Sequence, residues 1–288
     1  MKICVSSYSF SKLMAKGELN QFSAIAKAKE LGFDGIEFAG IIPHDGTSKE
    51  EYAHKLRAEA DRLGVPIASF VFGADLINGT EGRTPEQEVE YVKSMVDVGV
   101  ILGAPVIRHD VLYALGEYAD FYGLLSVLAD RVRQVTEYAA GKGVRTSVEN
   151  HGFICQDPDR CVALCKAVDH PNFGLLCDIG NFLCADAEPA ASVAMVAPYS
   201  IFAHAKDFYV KSGDDTDPGR GFFKSRGGNY LKGTIVGHGD VPVAQCLQIM
   251  KNAGYDGFLS LEFEGMEDVI EALQIGIENL HRIISELE

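Results

Sequence analysis

The sequence predicts an α/β fold, a single-domain (β/α)8 barrel of the TIM type, and three observations predict it. Short apolar or β-branched runs alternate with amphipathic helical stretches from one end of the chain to the other. There are eight of each, and eight is the number of parallel strands that closes a barrel. Helical stretches stop at glycine (Leu31-Gly32, Leu63-Gly64, Leu102-Gly103, Ala253-Gly254), and a strand follows within a few residues. Glycine just past a helix supplies the left-handed cap that ends it.

KICVS at 2–6 is the first strand, and the turn after it, Ser6 to Lys16, lacks the glycine-rich phosphate fingerprint of a doubly wound open sheet. A helical pattern near 20–31 leads to DGIEF at 34–38, and one near 49–63 leads to PIASFV at 66–71. The next pairs are a helix near 86–102 with PVIRH at 105–109, and one near 119–141 with VRTSVE at 144–149. Helices near 158–168 and 189–197 precede FGLLCD at 173–178 and SIFAHAK at 200–206. A helix near 241–253 then reaches GFLSLE at 257–262, and a helix near 267–286 closes the chain. One interval breaks the rhythm: from about Tyr209 to Val236 lies a long Gly- and charge-rich stretch, expected as a loop. Loops of that length in a compact domain serve as lids or are disordered, and a lid-like insertion over 209–236 is the expectation.

A chain of 288 residues, 47% hydrophobic, can bury one large core, so residues 1–288 are expected as one domain. The formal charge of −15 argues against a nucleic-acid surface, which needs clustered Lys and Arg. No apolar run reaches the length of a membrane span. Seven cysteines, an odd number in a chain too large to need staples, and a start that runs straight into a strand point to reduced thiols in the cytoplasm.

In a barrel, polar residues closing the strands face the active-site rim. Strands five to eight deliver Glu149, Asp178, His204 and Glu262 to one rim. Three converging carboxylates repel one another unless a cation sits among them. Oxygen ligands plus one imidazole suit one divalent ion, Mn²⁺ first, with Mg²⁺, Co²⁺ or Zn²⁺ as alternatives. His204 and Lys206 share one side of their strand, because side chains alternate with period two, so Lys206 is a catalytic candidate. Its bland alternative is a salt bridge to Asp207 or a strand-end carboxylate. His109 and His151 can titrate near neutral pH and are expected to contact substrate, as is Glu37 in strand two.

Taken together, LGFDGIEF (31–38), LGAPVIR (102–108), SVENHG (147–152), LLCDIGN (175–181), HAKDF (204–208), GHGDVP (237–242) and FLSLEFE (258–264) make the chain resemble the xylose isomerase-like TIM-barrel superfamily, in its sugar phosphate isomerase/epimerase group. The resemblance implies metal ligands at Glu149, Asp178, His204 and Glu262, with Glu149 and Glu262 also serving as the acid/base pair. It implies a small carbohydrate substrate processed through a cis-enediolate, and pairing into dimers or tetramers. Where several relatives carry a histidine three residues after the strand-six aspartate, this chain has Asn181, able to hydrogen-bond a substrate hydroxyl. Where many read Gly-Glu-Gly before the last helix, it has Gly237-His238-Gly239, which makes His238 a substrate-binding candidate.

The leading expectation is an isomerase or epimerase of a small sugar, keto-sugar or polyol. The alternative is a dehydratase that uses the same enediolate and expels a β-hydroxyl. A non-catalytic sugar-binding subunit and an endonuclease IV-like nuclease rank below these, the nuclease because Asn181 and the acidic charge disfavour it.

Overall fold

In a computed structural model, residues 1–44 and 46–287 are described. Strand β1 (Lys2–Ser6) opens a closed parallel barrel continued by β2 (Gly35–Ala39), β3 (Ile67–Phe72), β4 (Val106–His109), β5 (Arg145–Glu149), β6 (Phe173–Asp178) and β7 (Ser200–Ala205). Its eighth strand, β11 (Phe258–Leu261), pairs with both β7 and β1 and leaves no edge. Around it stand α2 (Gln21–Glu30), α3 (Lys49–Leu63), α4 (Pro85–Leu102), α5 (Phe121–Gly141), α6 (Pro158–Val168), α7 (Pro189–Val196), α8 (Val243–Asn252) and α9 (Val269–Glu286). A short α1 (Ser11–Ala15) fills the first turn. The strict alternation expected from the sequence is present, with element ends within a few residues.

Local chemistry explains the boundaries. Asn20, Ser48 and Thr84 close capping boxes at the starts of α2, α3 and α4. Gly64 and Gly103 end α3 and α4 at φ of 68° and 76°, the left-handed cap that glycine adopts without strain. The main core lies between barrel and helices, where Ile36, Phe38, Phe70 and Leu124 are fully buried. Each such side chain contributes about 1.5–3 kcal/mol of transfer free energy. A smaller plug of Cys4, Ala68, Val71, Val106, Leu176 and Phe202 fills the barrel itself. This fixes strand parity: with Val106 facing in, Ile107 packs outward beneath Gly99 of α4, and Arg108 faces in.

The interval expected as a loop is folded. β8 (Asp207–Lys211), β9 (Phe223–Lys224) and β10 (Tyr230–Thr234) make a three-stranded antiparallel sheet in the order β8-β10-β9. Its apolar side is short, Phe208 and Leu231 buried against Cys184, which is why no strand pattern stands out in its sequence. All seven cysteines are buried and free. Among the described residues no helix is long and apolar enough to cross a membrane.

Candidate metal centre and active site

Four neighbouring strands, β5, β6, β7 and β11, carry the predicted quartet to the C-terminal rim. The register sets Asp178 beside His204, and His204 beside Ser260 two residues before Glu262. All four side chains are buried, and one ligand atom from each lies within 4.8 Å of the others. The His204 Nδ1 is 3.9, 3.8 and 3.6 Å from oxygens of Glu149, Asp178 and Glu262. Neither that nitrogen nor Asp178 Oδ2 has a hydrogen-bond partner. Buried polar atoms are normally satisfied, so an imidazole nitrogen with no hydrogen bond, aimed into three carboxylates, fits a cation. The nearest cation to Asp178 Oδ2 is the Lys206 ammonium, at 3.3 Å. The cluster can therefore hold a divalent ion.

Surrounding groups fix each ligand. Asp178 Oδ1 accepts from the backbone N–H of Gly180 (2.8 Å) and Asn181 (3.0 Å), which leaves Oδ2 toward the centre. The Asn150 amide accepts from the Asp178 N–H and donates to its carbonyl, at 2.9 and 2.8 Å. Glu149 is gripped at both oxygens, by Asn181 Nδ2 at 2.8 Å and by Arg108 at 2.8 Å. Glu262 takes Lys206 at 2.6 Å and the Ser6 hydroxyl at 3.4 Å. Glu37 lies behind His204, its Oε1 2.8 Å from Nε2. A carboxylate in ion-pair contact with Nε2 favours a proton on that nitrogen and leaves Nδ1 to ligate, although no aligned hydrogen bond joins them.

A cavity of about 360 Å³ opens over the quartet. Arg108, Glu149, His151, His204, Lys206 and Glu262 form one wall, from β4 round to β11. The other, from β1 to β3, consists of Tyr8, Ala39, Gly40, Val71, Phe72 and Gly73.

The substrate-contact candidates divide. His151 lines the cavity with its side chain 45% exposed, its Nδ1 3.1 Å from Asp110. Glu37 is fully buried behind His204 and outside the cavity wall. Asn181 spends its amide between Glu149 and Lys206 (3.2 Å), so it orients these two groups. His109 points away from the cavity: its ring packs near Phe72 and its Nδ1 contacts the Asp110 carbonyl at 2.8 Å. His238 is exposed in the turn after β10 and lies outside the wall, while its neighbours Gly237 and Gly239 donate backbone N–H groups to Asp207. Lys206 lines the cavity and is ion-paired with Glu262 and, at 3.3 Å, Asp178, two strand-end carboxylates.

Sequence reasoning passed over Arg108 and Asp110. Arg108 bridges Glu149 and Asp110, the latter at 2.5 Å, and Asp110 also accepts from Tyr113 at 3.0 Å. The available signal was parity: Val106 and Arg108 share a face, His109 the opposite one.

Electrostatics separates the carboxylates. Burial pushes Glu149 above the usual range, and Arg108, His204 and His151 only partly counter it. Burial also opposes ionisation of Glu262, yet Lys206 and His204 hold it well below that range. Asp178 is lowered in the same way: burial is outweighed by Lys206 and His204. Burial disfavours the charged forms of His204 and Lys206, but the surrounding carboxylates raise both well above their ordinary values.

Comparison with known proteins identifies the fold and its family. A 3-dehydroshikimate dehydratase of Pseudomonas aeruginosa is 27% identical over 248 residues, which is 84% of this chain and 35% of that protein. The chain thus spans about a third of that relative's length. The crystal structure of a xylose isomerase-like TIM barrel protein from Mycobacterium smegmatis in complex with magnesium superposes with a TM-score of 0.71 at 22% identity, covering 99% of this chain and 96% of that one. An L-ribulose 3-epimerase gives 0.72 at 16% identity, covering 99% and 94%. These two likenesses are of fold. The family model described as xylose isomerase-like TIM barrel matches residues 25–283, and on a match of that extent the chain belongs to this family.

Proposed function

We propose that this protein is a divalent-metal-dependent isomerase or epimerase of a small sugar, keto-sugar or polyol. Glu149, Asp178, His204 and Glu262 hold the ion, with Mn²⁺ the first choice over Mg²⁺, Co²⁺ or Zn²⁺. The observation that carries the reading is the convergence of these four ligand atoms within 4.8 Å at the floor of an open cavity. A bound divalent ion would supply positive charge that acidifies a C–H beside a carbonyl held in the cavity.

The other duties fall to the chain's own side chains. Glu149 and Glu262 lie on strands separated by β6 and β7, so they approach a substrate from two sides and can take and return a proton. Arg108 and Asn181 keep Glu149 oriented, and Lys206 beside Glu262 can relay a proton to it or to a substrate oxygen. The L-ribulose 3-epimerase among the structural neighbours supports the epimerase reading, and the magnesium complex supports a divalent ion. Seven free, buried thiols support a reducing compartment, the cytoplasm.

A second reading is a dehydratase, favoured by the Lys206 ammonium inside the cavity and by the 3-dehydroshikimate dehydratase relative. Lys206 would then protonate a departing hydroxyl. Incubation of the metal-loaded protein with keto-sugars and cyclic hydroxyketones separates the two readings. Elimination creates an ultraviolet chromophore, and epimerisation changes optical rotation without one. Glu149→Gln and Glu262→Gln that keep metal and full turnover would show the acid/base assignment to be wrong.

A further inference from the structure

We infer that the substrate carries an apolar carbon face, such as a ring bearing few hydroxyls, opposite its chelating end. The inference rests on the proposed metal-dependent reading and narrows its substrate class. It comes from the division of the cavity wall. The arc from β4 to β11 presents charged groups, among them the ligands Glu149, His204 and Glu262, and the arc from β1 to β3 presents Tyr8, Ala39, Gly40, Val71, Phe72 and Gly73. Among the described residues lining that second arc only Tyr8 carries a hydroxyl, at the rim and 45% exposed, and the Tyr113 hydroxyl stands beside Gly73 at its β3 end.

The backbone of the same arc is largely committed elsewhere. The Ala39 N–H donates to the Ser7 hydroxyl at 2.8 Å, and the Gly40 N–H to the Val71 carbonyl at 2.8 Å. The Gly40 carbonyl accepts from Gln21 at 2.9 Å, and the Phe72 carbonyl from the Asp110 N–H at 3.1 Å. A hydroxyl laid against Ala39, Gly40 and Val71 would surrender its water and find few partners, which disfavours a polyhydroxylated tail on that side. A carbon face laid on Ala39 and Val71 would gain by leaving water. Gly40, where an added side chain would meet nothing within 4 Å, keeps the arc low and leaves room for such a body.

The test titrates the protein, loaded with Mn²⁺, with hydroxamates that share one bidentate head. Acetohydroxamate gives the baseline, cyclohexanecarbohydroxamate adds an apolar ring, and threonohydroxamate adds a hydroxylated chain. Calorimetry and the water-proton relaxation of the bound Mn²⁺ report affinity without turnover. The expected result is that the cyclohexyl compound binds at least about tenfold tighter than threonohydroxamate. Val71→Ala is expected to shrink that ratio several-fold, although the ratio on the unaltered protein decides by itself. Threonohydroxamate binding as tightly or more tightly would overturn the inference and leave the metal-dependent reading standing. A protein that takes up no Mn²⁺, or binds none of the three, would overturn both.

Discussion

Glu37 Oε1 lies 2.8 Å from His204 Nε2, although the two strands that carry these residues are separated by β11 and β1 around the barrel. Both side chains are essentially inaccessible to water. The pair sets which nitrogen of His204 faces the three carboxylates. Glu37→Gln is therefore expected to weaken metal affinity by about 10–100-fold while the protein stays folded. Competition against a fluorescent chelator measures it. An affinity equal to that of the unaltered protein would remove Glu37 from this role.

Arg108 is buried between two carboxylates, Glu149 and Asp110. Removing the cation leaves both charges facing each other without water, and breaking a buried pair in this way costs about 3–5 kcal/mol. Arg108→Met is expected to lose stability on that scale in urea unfolding of the metal-free protein. A loss below about 1 kcal/mol would show that the carboxylates find other partners or take up a proton cheaply.

Asp110 supplies a pH signature. Burial opposes its charge, but Arg108 and His151 outweigh that and bring its pKa down from 3.8 to about 2. A carboxyl depressed in the folded state stabilises fully above its unfolded pKa, and that contribution is lost as pH falls through the folded one. The stability difference between the unaltered protein and Asp110→Asn should thus be greatest at about pH 5. It should fall at higher pH as His151, whose pKa Asp110 raises, loses its proton, and shrink between about pH 4 and pH 2. A difference that stays flat over that interval would contradict the depressed value.

Arg226 ties the β8–β10 insertion to the barrel rim. It pairs with Asp157 at 2.5 Å and donates to the carbonyls of Phe153 and Ala185, both at 3.1 Å. The pair is partly exposed, so Arg226→Ala should cost no more than about 1 kcal/mol of global stability. Limited proteolysis should nevertheless cut between Ser212 and Gly228 several-fold faster. Unchanged cleavage would mean that Asp186, which accepts from Ser225 (2.6 Å), Asn229 (2.8 Å) and Gly227, holds the segment alone.

The barrel and the quartet were legible because both depend on repetition. Alternating periods and glycine caps mark the elements, and position at a strand end marks Glu149, Asp178, His204 and Glu262. The surrounding shell was not legible, because it depends on which way each side chain turns. Two polar residues in succession, Arg108 and His109, look equivalent in sequence, yet only Arg108 reaches the cavity. Glu37 and Asn181 have the right chemistry to hold a substrate, but their partners, His204, Glu149 and Lys206, come from distant parts of the chain. The small sheet between β7 and α8 was hidden because its buried side amounts to a few residues in a Gly-rich stretch.

Asp207 has a consequence for how this barrel can vary. Its carboxylate gathers the N–H groups of Gly237, Gly239 and Val241 at 2.9, 2.8 and 3.1 Å, and that of Phe208 at 2.9 Å. A side chain at Gly239 would run into it. The two feet of the insertion are thus stapled at one point on the barrel, and the segment between them is a closed loop. Doubling the length of such a loop costs only about 0.6 kcal/mol in closure entropy. The scaffold therefore has a socket at its rim, where segments of different length and chemistry can be exchanged while the strands that carry the quartet stay in register.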